Sequence, residues 1–342
     1  MAQRPARRRL AFALVGAYAA LVLIATSLVL ASSSPNGQSA RASHKPKPTP
    51  GVTVAATPTA RPTPTAASTP TTAPTSAPPA LPNFGHVFVI LMENEEATSI
   101  IGNSGAPYIN SLATQYGYTT NYTAVAHPSE PNYLALWSGS TQGVTDDGVY
   151  NFSSGTTLGD QIVSAGKSWH VAAQNVPVTS CYTGATASGG PDGTGTYARK
   201  HEPAISWTTV SGNATQCARI TDFSHFDPNL GNYWFIAPNL CNDMHDCSIA
   251  TGDTFLKGWL PTILNSAAFT NGGVFLTWDE GSTSTGGGGR VVTVVISPFA
   301  KNGFASSTAH THYSLVRTIE DAWGMPCLAN ACSANDLGEF FK

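Results

Sequence analysis

Residues 273–281 read Gly-Val-Phe-Leu-Thr-Trp-Asp-Glu-Gly, a largely apolar run that ends on two adjacent acids and a glycine. An apolar stretch this short and continuous is the pattern of a strand buried on both faces, as inside a parallel sheet. The same design occurs at His86–Met92, where His-Val-Phe-Val-Ile-Leu-Met runs into Glu93 and Asn94. Further candidate strands are Tyr233–Ala237 and Arg290–Ser297. Candidate helices are Pro107–Tyr116, Asp253–Ala267 and Tyr313–Trp323, the last carrying Leu315, Val316, Ile319 and Trp323. Apolar strands alternating with helical patterns predict an α/β fold. Long Gly, Ser and Thr stretches at Thr183–Thr196 and Gly281–Gly289 read as loops, some of them bordering the active site.

Ahead of this region the chain is different in kind. Arg4, Arg7, Arg8 and Arg9 precede a largely apolar run from Leu10 to Ala31, which reads as an export signal or a membrane anchor. Basic residues before it and none directly after it orient the rest of the chain away from the cytoplasm. Residues 32–82 are dominated by Thr, Pro, Ala and Ser. Too few large apolar side chains remain there to fold, so the tract is expected to be a disordered, extended stalk. A single catalytic domain is then expected over residues 83–342, with the protein secreted or held at the cell surface.

All 20 Asp and Glu lie after Leu81, with only nine of the 17 Lys and Arg. An acidic domain argues against nucleic acid as a partner. The six cysteines, Cys181, Cys217, Cys241, Cys247, Cys327 and Cys332, all fall in the exported part. Their even number permits three disulfides. Close spacing suggests Cys241 with Cys247 and Cys327 with Cys332, leaving Cys181 for Cys217, among about 15 connectivities. A zinc cluster is the rival reading, without a Cys-x-x-Cys pair to support it.

Ligands of open α/β sheets gather at the carboxyl ends of strands. Glu93 and Asn94 at one strand end, with Asp279 and Glu280 at another, offer three carboxylates and an amide. Hard oxygen ligands in this number suit a divalent cation such as Mg, Ca or Mn, with Zn as a fourth choice. A bare acidic cluster would repel itself, and a cation relieves that. The competing reading makes Asp279 and Glu280 the start of a solvated glycine-rich loop.

His127-Pro-Ser-Glu-Pro-Asn-Tyr133 stands before an apolar helical run to Trp137. A hydroxyl at a helix N-terminus faces free backbone N–H groups, a setting suited to phosphate. Capping of the helix is the commoner use of a serine such as Ser129. His201, His245, His310 and His312 sit in polar, irregular contexts, where imidazoles bind phosphate oxygens or protonate leaving groups.

Together these segments resemble the phosphoesterase family of bacterial acid phosphatases and C-type phospholipases, within the alkaline-phosphatase-like superfamily. The resemblance spans nearly all of residues 84–326. It implies a central, mostly parallel sheet flanked by helices. It implies that Glu93 and Asn94 bind metal, as do Asp279 and Glu280. Pro128-Ser-Glu-Pro-Asn132 matches the family's nucleophile segment, which makes Ser129 the nucleophile and a metal neighbour. Asn132, with His127 beside it, would contact the phosphate. Trp234–Pro238 followed by His245 looks like the family's strand-then-His element. His312–Glu320 matches a His-x-Ser-x-x-Arg-x-Ile-Glu helix start, and Tyr197–Pro203 a Tyr-x-x-x-His-x-Pro element that adds His201. The phospholipases usually continue the Asp-Glu pair with Asn-Asp-Gly and a further His, where this chain has Gly281, Ser282 and a glycine run. That departure favours the compact phosphatase branch.

The implied chemistry is metal-dependent hydrolysis of phosphate monoesters on small molecules or lipids through phosphoserine. The alternatives are a phospholipase C-type diesterase and a non-catalytic surface binding module.

Overall fold

The computed structural model describes residues 81–177, 181–189 and 195–342. The apolar segment at residues 10–31, the stalk and the middle of the 183–196 loop lie outside these described residues. Among them, no helix is long and apolar enough to cross a membrane.

An eight-stranded sheet organises the domain. In chain order its strands are β1 (His86–Met92), β2 (Gly117–Thr119), β3 (Trp169–Ala173), β4 (Ile220–Thr221), β5 (Tyr233–Ala237), β6 (Gly272–Trp278), β7 (Thr293–Ile296) and β8 (Phe304–Ser306). Their spatial order is β8-β2-β7-β6-β1-β5-β3-β4. Strands β6, β1, β5, β3 and β4 pair in parallel, as do β2 and β8, whereas β7 runs against both of its neighbours. The mostly parallel sheet expected from the sequence is therefore present, with β7 as the exception.

Side chains of β1 alternate between two cores, as a strand covered on both faces requires. Val87, Val89 and Leu91 join one, and Phe88, Ile90 and Met92 the other. The first core is roofed by helices Ser129–Ser138 and His312–Ala322, which supply Leu134, Trp137, Leu315, Val316 and Ile319. The second is roofed by helices Pro107–Gln115 and Ile249–Trp259, through Ile109, Leu112 and Leu256. The helix expected at 253–267 starts earlier, because the Ser248 side chain accepts from Thr251 N and caps it. It is broken at Pro261, where a new short helix begins. Of the segment expected as one strand from Arg290, only Thr293–Ile296 joins the large sheet, while Arg290–Val291 pairs with Tyr122–Thr123 in a small one.

Three disulfides join Cys181 to Cys217, Cys241 to Cys247 and Cys327 to Cys332, the pairing expected from spacing. The last lies beside Glu320, which is wholly buried on the helix that begins at His312. Glu320 Oε1 accepts from Leu328 N at 2.7 Å, and Oε2 has no partner. Burial pushes its carboxyl up to about 7. The folded chain thus binds a proton there that the unfolded chain releases near pH 4.5. The resulting stability is complete below that pH and is lost as pH rises through 7. Glu320→Gln, which is always neutral, is expected to match the wild type at pH 4.5. At pH 8 it should exceed it by on the order of 1–2 kcal/mol in urea unfolding. An equal difference at both pH values would refute the assignment.

Candidate active site

The sheet register brings the acids together. Met92 lies opposite Trp278 at the ends of β1 and β6, so Glu93 and Asp279 emerge side by side. Asp279 N–H donates to Met92 O at 2.9 Å, and Asn94 N–H donates to Asp279 Oδ1 at 3.1 Å. Asn94 takes a left-handed φ of 57°, a conformation Asn tolerates better than most residues. It turns the chain sharply after the strand. Beyond β5 a third acid arrives, for Glu93 N–H donates to Asp243 O at 2.9 Å. The Cys241–Cys247 bridge closes the short loop that carries both Asp243 and His245.

Ser129 opens the Ser129–Ser138 helix as its first residue, and Pro128 occupies the cap position. Its hydroxyl caps nothing. It donates instead to Glu93 Oε2 at 3.1 Å and is buried. Tyr133, one turn on, donates its hydroxyl to Glu93 Oε1. The free N–H groups expected at this helix end are scarce: Glu130 N–H is taken by Asp147 Oδ1 at 3.0 Å, and Pro131 has none. Positive charge comes from Lys200, whose ammonium meets Asp147 Oδ2 at 2.7 Å. Burial alone would lower its pKa, but that hydrogen bond and the charges of Glu93, Asp147 and Asp279 raise it. Lys200 therefore stays a cation next to the acids.

His201 lies buried between two carboxylates, its Nε2 3.2 Å from Glu93 Oε1 and its Nδ1 3.4 Å from Asp243 Oδ2. Tyr133 stacks on its ring, with centroids 4.8 Å apart and planes 7° from parallel. His245 is partly exposed with Nδ1 on Asp246 at 2.7 Å, and its ring centre is 5.9 Å from that of His201.

Three residues expected to meet phosphate are placed differently. Asn132 is wholly buried; its Oδ1 accepts from Val125 and Ala126 N–H, and its amide donates to Ala126 O. It shapes the segment before Ser129. His127 is bound through both ring nitrogens, to Glu280 at 2.5 Å and to Thr283 O at 2.8 Å. His312 is likewise committed, to Asp279 O at 2.6 Å and to the Tyr122 hydroxyl at 3.1 Å. Burial pushes the His312 imidazole down to about 4. It fixes the backbone of Asp279 as a neutral ring. His310 is also spoken for, with Nε2 on Glu339 at 3.0 Å.

The acids are arranged as a cation site would require. Burial, reinforced by Asp279 and Asp243, holds the Glu93 carboxyl well above the usual range. Burial and then Glu280 push Asp279 up to about 7, and burial raises Asp243. Asp279 Oδ2 and Asp243 Oδ2 are buried without a hydrogen-bond partner. Glu93, His201 and Asp243 each offer a ligand atom within 4.8 Å of the others. Buried, unpartnered carboxylate oxygens beside like charges are the signature of a missing counter-charge. The residues present therefore fit a divalent cation.

Glycine follows Glu280 for a steric reason. A Cβ on Gly281 would collide with the Glu96 carboxylate. That carboxylate accepts from Ser282 N at 2.9 Å and Arg290 N at 3.0 Å and ties the glycine-rich loop down.

This architecture is shared with solved structures of the alkaline phosphatase superfamily. A superfamily protein from Vibrio parahaemolyticus aligns at TM-score 0.50 with 10% identity, over 76% of this chain and 72% of that one. The lipoteichoic acid synthase LtaP of Listeria monocytogenes aligns at 0.51 with 10% identity, over 71% and 74%. At such identities the likeness concerns the fold alone. The sequence is more specific: the phosphoesterase family profile matches residues 102–326, and the chain belongs to that family of hydrolases acting on phosphate esters. It is 35% identical over 268 residues to a phosphatidylinositol-3-phosphatase of Mycobacterium tuberculosis, covering 77% of this chain and 84% of the relative. It is 30% identical to an acid phosphatase of Aspergillus fumigatus, over 74% of this chain but 58% of that one. The chain thus spans less than two thirds of that fungal relative.

Proposed function

We propose that this chain is an exported phosphatase that hydrolyses phosphate monoesters through a phosphoserine formed on Ser129. The observation that carries the reading is the Ser129 hydroxyl, freed from capping and directed at Glu93 amid three buried acids. A divalent cation held by Glu93, Asn94, Asp279 and Glu280 would neutralise a phosphate oxygen and sharpen the hydroxyl as a nucleophile. Mg, Ca, Mn and Zn all remain consistent with that donor set.

Ser129 Oγ attacks phosphorus, forming one P–O bond as the ester P–O bond opposite it breaks. The Ser129 hydroxyl donates to Glu93 Oε2; a cation held by that carboxylate would lower the pKa of the hydroxyl, whose proton passes to water as the new P–O bond forms. Lys200 offers its charge to the phosphoryl oxygens and can exchange Asp147 for them. His245, partly exposed at the rim, supplies a proton to the departing alkoxide. Water then attacks the phosphoserine, and phosphate leaves.

The glycine at 281 and the loop clamped by Glu96 support a monoesterase over the diesterases, whose pattern continues with Asn-Asp-Gly. The relative named a phosphatidylinositol-3-phosphatase makes a phosphoinositide or another lipid phosphate a reasonable substrate. Three disulfides support a site of action outside the cytoplasm.

Hydrolysis of a chromogenic phosphomonoester by the full chain tests the reading. Exhaustive chelation is expected to lower turnover on the order of 100-fold or more, with recovery on adding back one of the four cations. Turnover unaffected by chelation would remove the cation. Activity on a phosphocholine diester without monoester activity would reverse the substrate class.

A further inference from the structure

Arg199 is a buried cation that takes no part in the chemistry proposed above. It is 2% exposed, and its guanidinium bonds to two separate loops. Nη2 donates to Tyr150 O at 2.7 Å and to Asn151 Oδ1 at 3.1 Å, and Nη1 donates to Thr183 O at 3.0 Å. Its backbone N–H adds a bond to Ala185 O at 2.8 Å. Taking a guanidinium out of water is costly, and here the donors are spent on loop oxygens, with Nε left unpartnered. Such a group is placed to hold chain segments together. The segment at 146–151 needs holding: Asp146, Asp147, Val149 and Asn151 are exposed, and none of it lies in a helix or strand. A stretch with so few buried anchors would otherwise open locally at little cost.

We infer that Arg199 is a positioning residue, which acts on the phosphate through Lys200 by fixing the 146–151 loop and touches no substrate itself. The loop meets the site at Asp147. Asp147 Oδ1 accepts from Glu130 N–H, next to Ser129, and Oδ2 accepts from the Lys200 ammonium. The Glu130 carboxyl is in turn bonded by the Gly148 backbone. Arg199 and Lys200 are adjacent in one short helical turn, Arg199–His201, so that turn grips the loop at two points. The two grips differ in kind. Lys200 and Asp147 are partly exposed, with side-chain exposures of 20% and 32%, and such an ion pair opens readily when a phosphoryl group arrives. The Arg199 grip is buried and bonds to oxygens that no substrate replaces. The loop therefore stays in place while the ion pair exchanges, and Lys200 returns to a fixed counter-ion when phosphate leaves. Lysine cannot stand in for Arg199, because one ammonium does not span the acceptors that a planar guanidinium reaches in both loops. The inference rests on the proposed role of Lys200 at the phosphoryl oxygens and extends it to a residue outside the site.

Inorganic phosphate as a competitive inhibitor, measured on the full chain against a chromogenic monoester, reads the position of Lys200. Arg199→Lys is expected to raise the phosphate inhibition constant and KM together by about tenfold while kcat stays within about threefold, because a cation set on the phosphoryl oxygens holds ground state, transition state and inorganic phosphate alike. Lys200→Met should raise the inhibition constant by at least as much. Adding Arg199→Lys to it should change nothing further, because the loop then has no cation to place. Hydrogen exchange of the amides at 146–151 should quicken in Arg199→Lys, with slow exchange at Leu134–Trp137 and the thermal melt showing that the domain folds. If Arg199→Lys does not fold, Asn151→Ala, at an exposed position that supplies one of the Arg199 acceptors, should still quicken exchange at 146–151 and raise the phosphate constant by about twofold or more. An Arg199→Lys effect that is as large in the Lys200→Met background marks a general structural loss and overturns the inference. Unchanged phosphate binding in folded Arg199→Lys, or in Asn151→Ala where only that variant folds, overturns it too, and with a strong Lys200→Met effect beside it leaves the role of Lys200 standing. Phosphate binding unmoved by Lys200→Met overturns the inference together with that role.

Discussion

Ser129→Ala is expected to lower kcat by roughly three orders of magnitude or more while KM for a chromogenic monoester changes little. Removing the hydroxyl leaves the acids, Lys200 and His245 in place, so substrate still binds but no covalent intermediate can form. The fold should tolerate the change. The lost hydroxyl donates to Glu93 Oε2 and also interacts with the Asp279 carboxylate, contacts worth about 1 kcal/mol each, and the helix keeps Leu134, Leu136 and Trp137 in the core. Ser129→Thr retains a hydroxyl and should keep part of the activity if the added methyl fits beside Glu93. The decisive observation is acid-stable label: wild type quenched during turnover of a 32P-labelled monoester should carry phosphate on the peptide containing residue 129, and the alanine variant none. Turnover within tenfold of wild type in the variant would take Ser129 out of the mechanism.

The parts of this arrangement that could be read from the sequence are those written in consecutive residues. A buried strand that stops at Glu93 or at Asp279 declares itself through apolar run and acid together, and the parallel register then forces the two acids into one place. The Pro-framed serine is similarly local. Asp243 could not be found this way, because nothing in Asn242–Asp246 says that its loop folds back to pair with the backbone of Glu93. Lys200 sits beside His201 in a segment already singled out, yet only the fold shows its charge facing Glu93 and Asp279. His127, His312 and Asn132 carry the opposite lesson. The family resemblance implied phosphate contact or an active-site role, whereas the structure engages their polar atoms in holding Glu280, the Asp279 backbone and the segment before Ser129. Short strands such as Gly117–Thr119 and Ile220–Thr221 escaped notice because two or three residues carry no periodicity.

Glu93→Gln should separate function from stability more sharply than any other single change. The substitution preserves volume but removes the charge that faces Ser129, Tyr133 and His201, and kcat is expected to fall on the order of 1,000-fold. Stability should move the other way when no cation is supplied. Burial, with Asp279 and Asp243 nearby, raises the Glu93 pKa, so the folded chain favours the protonated, neutral acid that glutamine imitates. The stability from that proton is present at low pH and is lost as pH rises, so the wild type in chelator should lose more stability between pH 5 and pH 8 than the variant does. At pH 8 in chelator the variant should therefore melt at a higher temperature than the wild type. Adding Mn2+ should reverse the order, because an ionised Glu93 repelled by its neighbours is the state a cation stabilises, and only the wild type can present it. A variant that melts below the wild type in chelator, and gains as much from Mn2+, would mean that Glu93 is held by its hydrogen bonds to Ser129 and Tyr133 and takes no part in binding the ion.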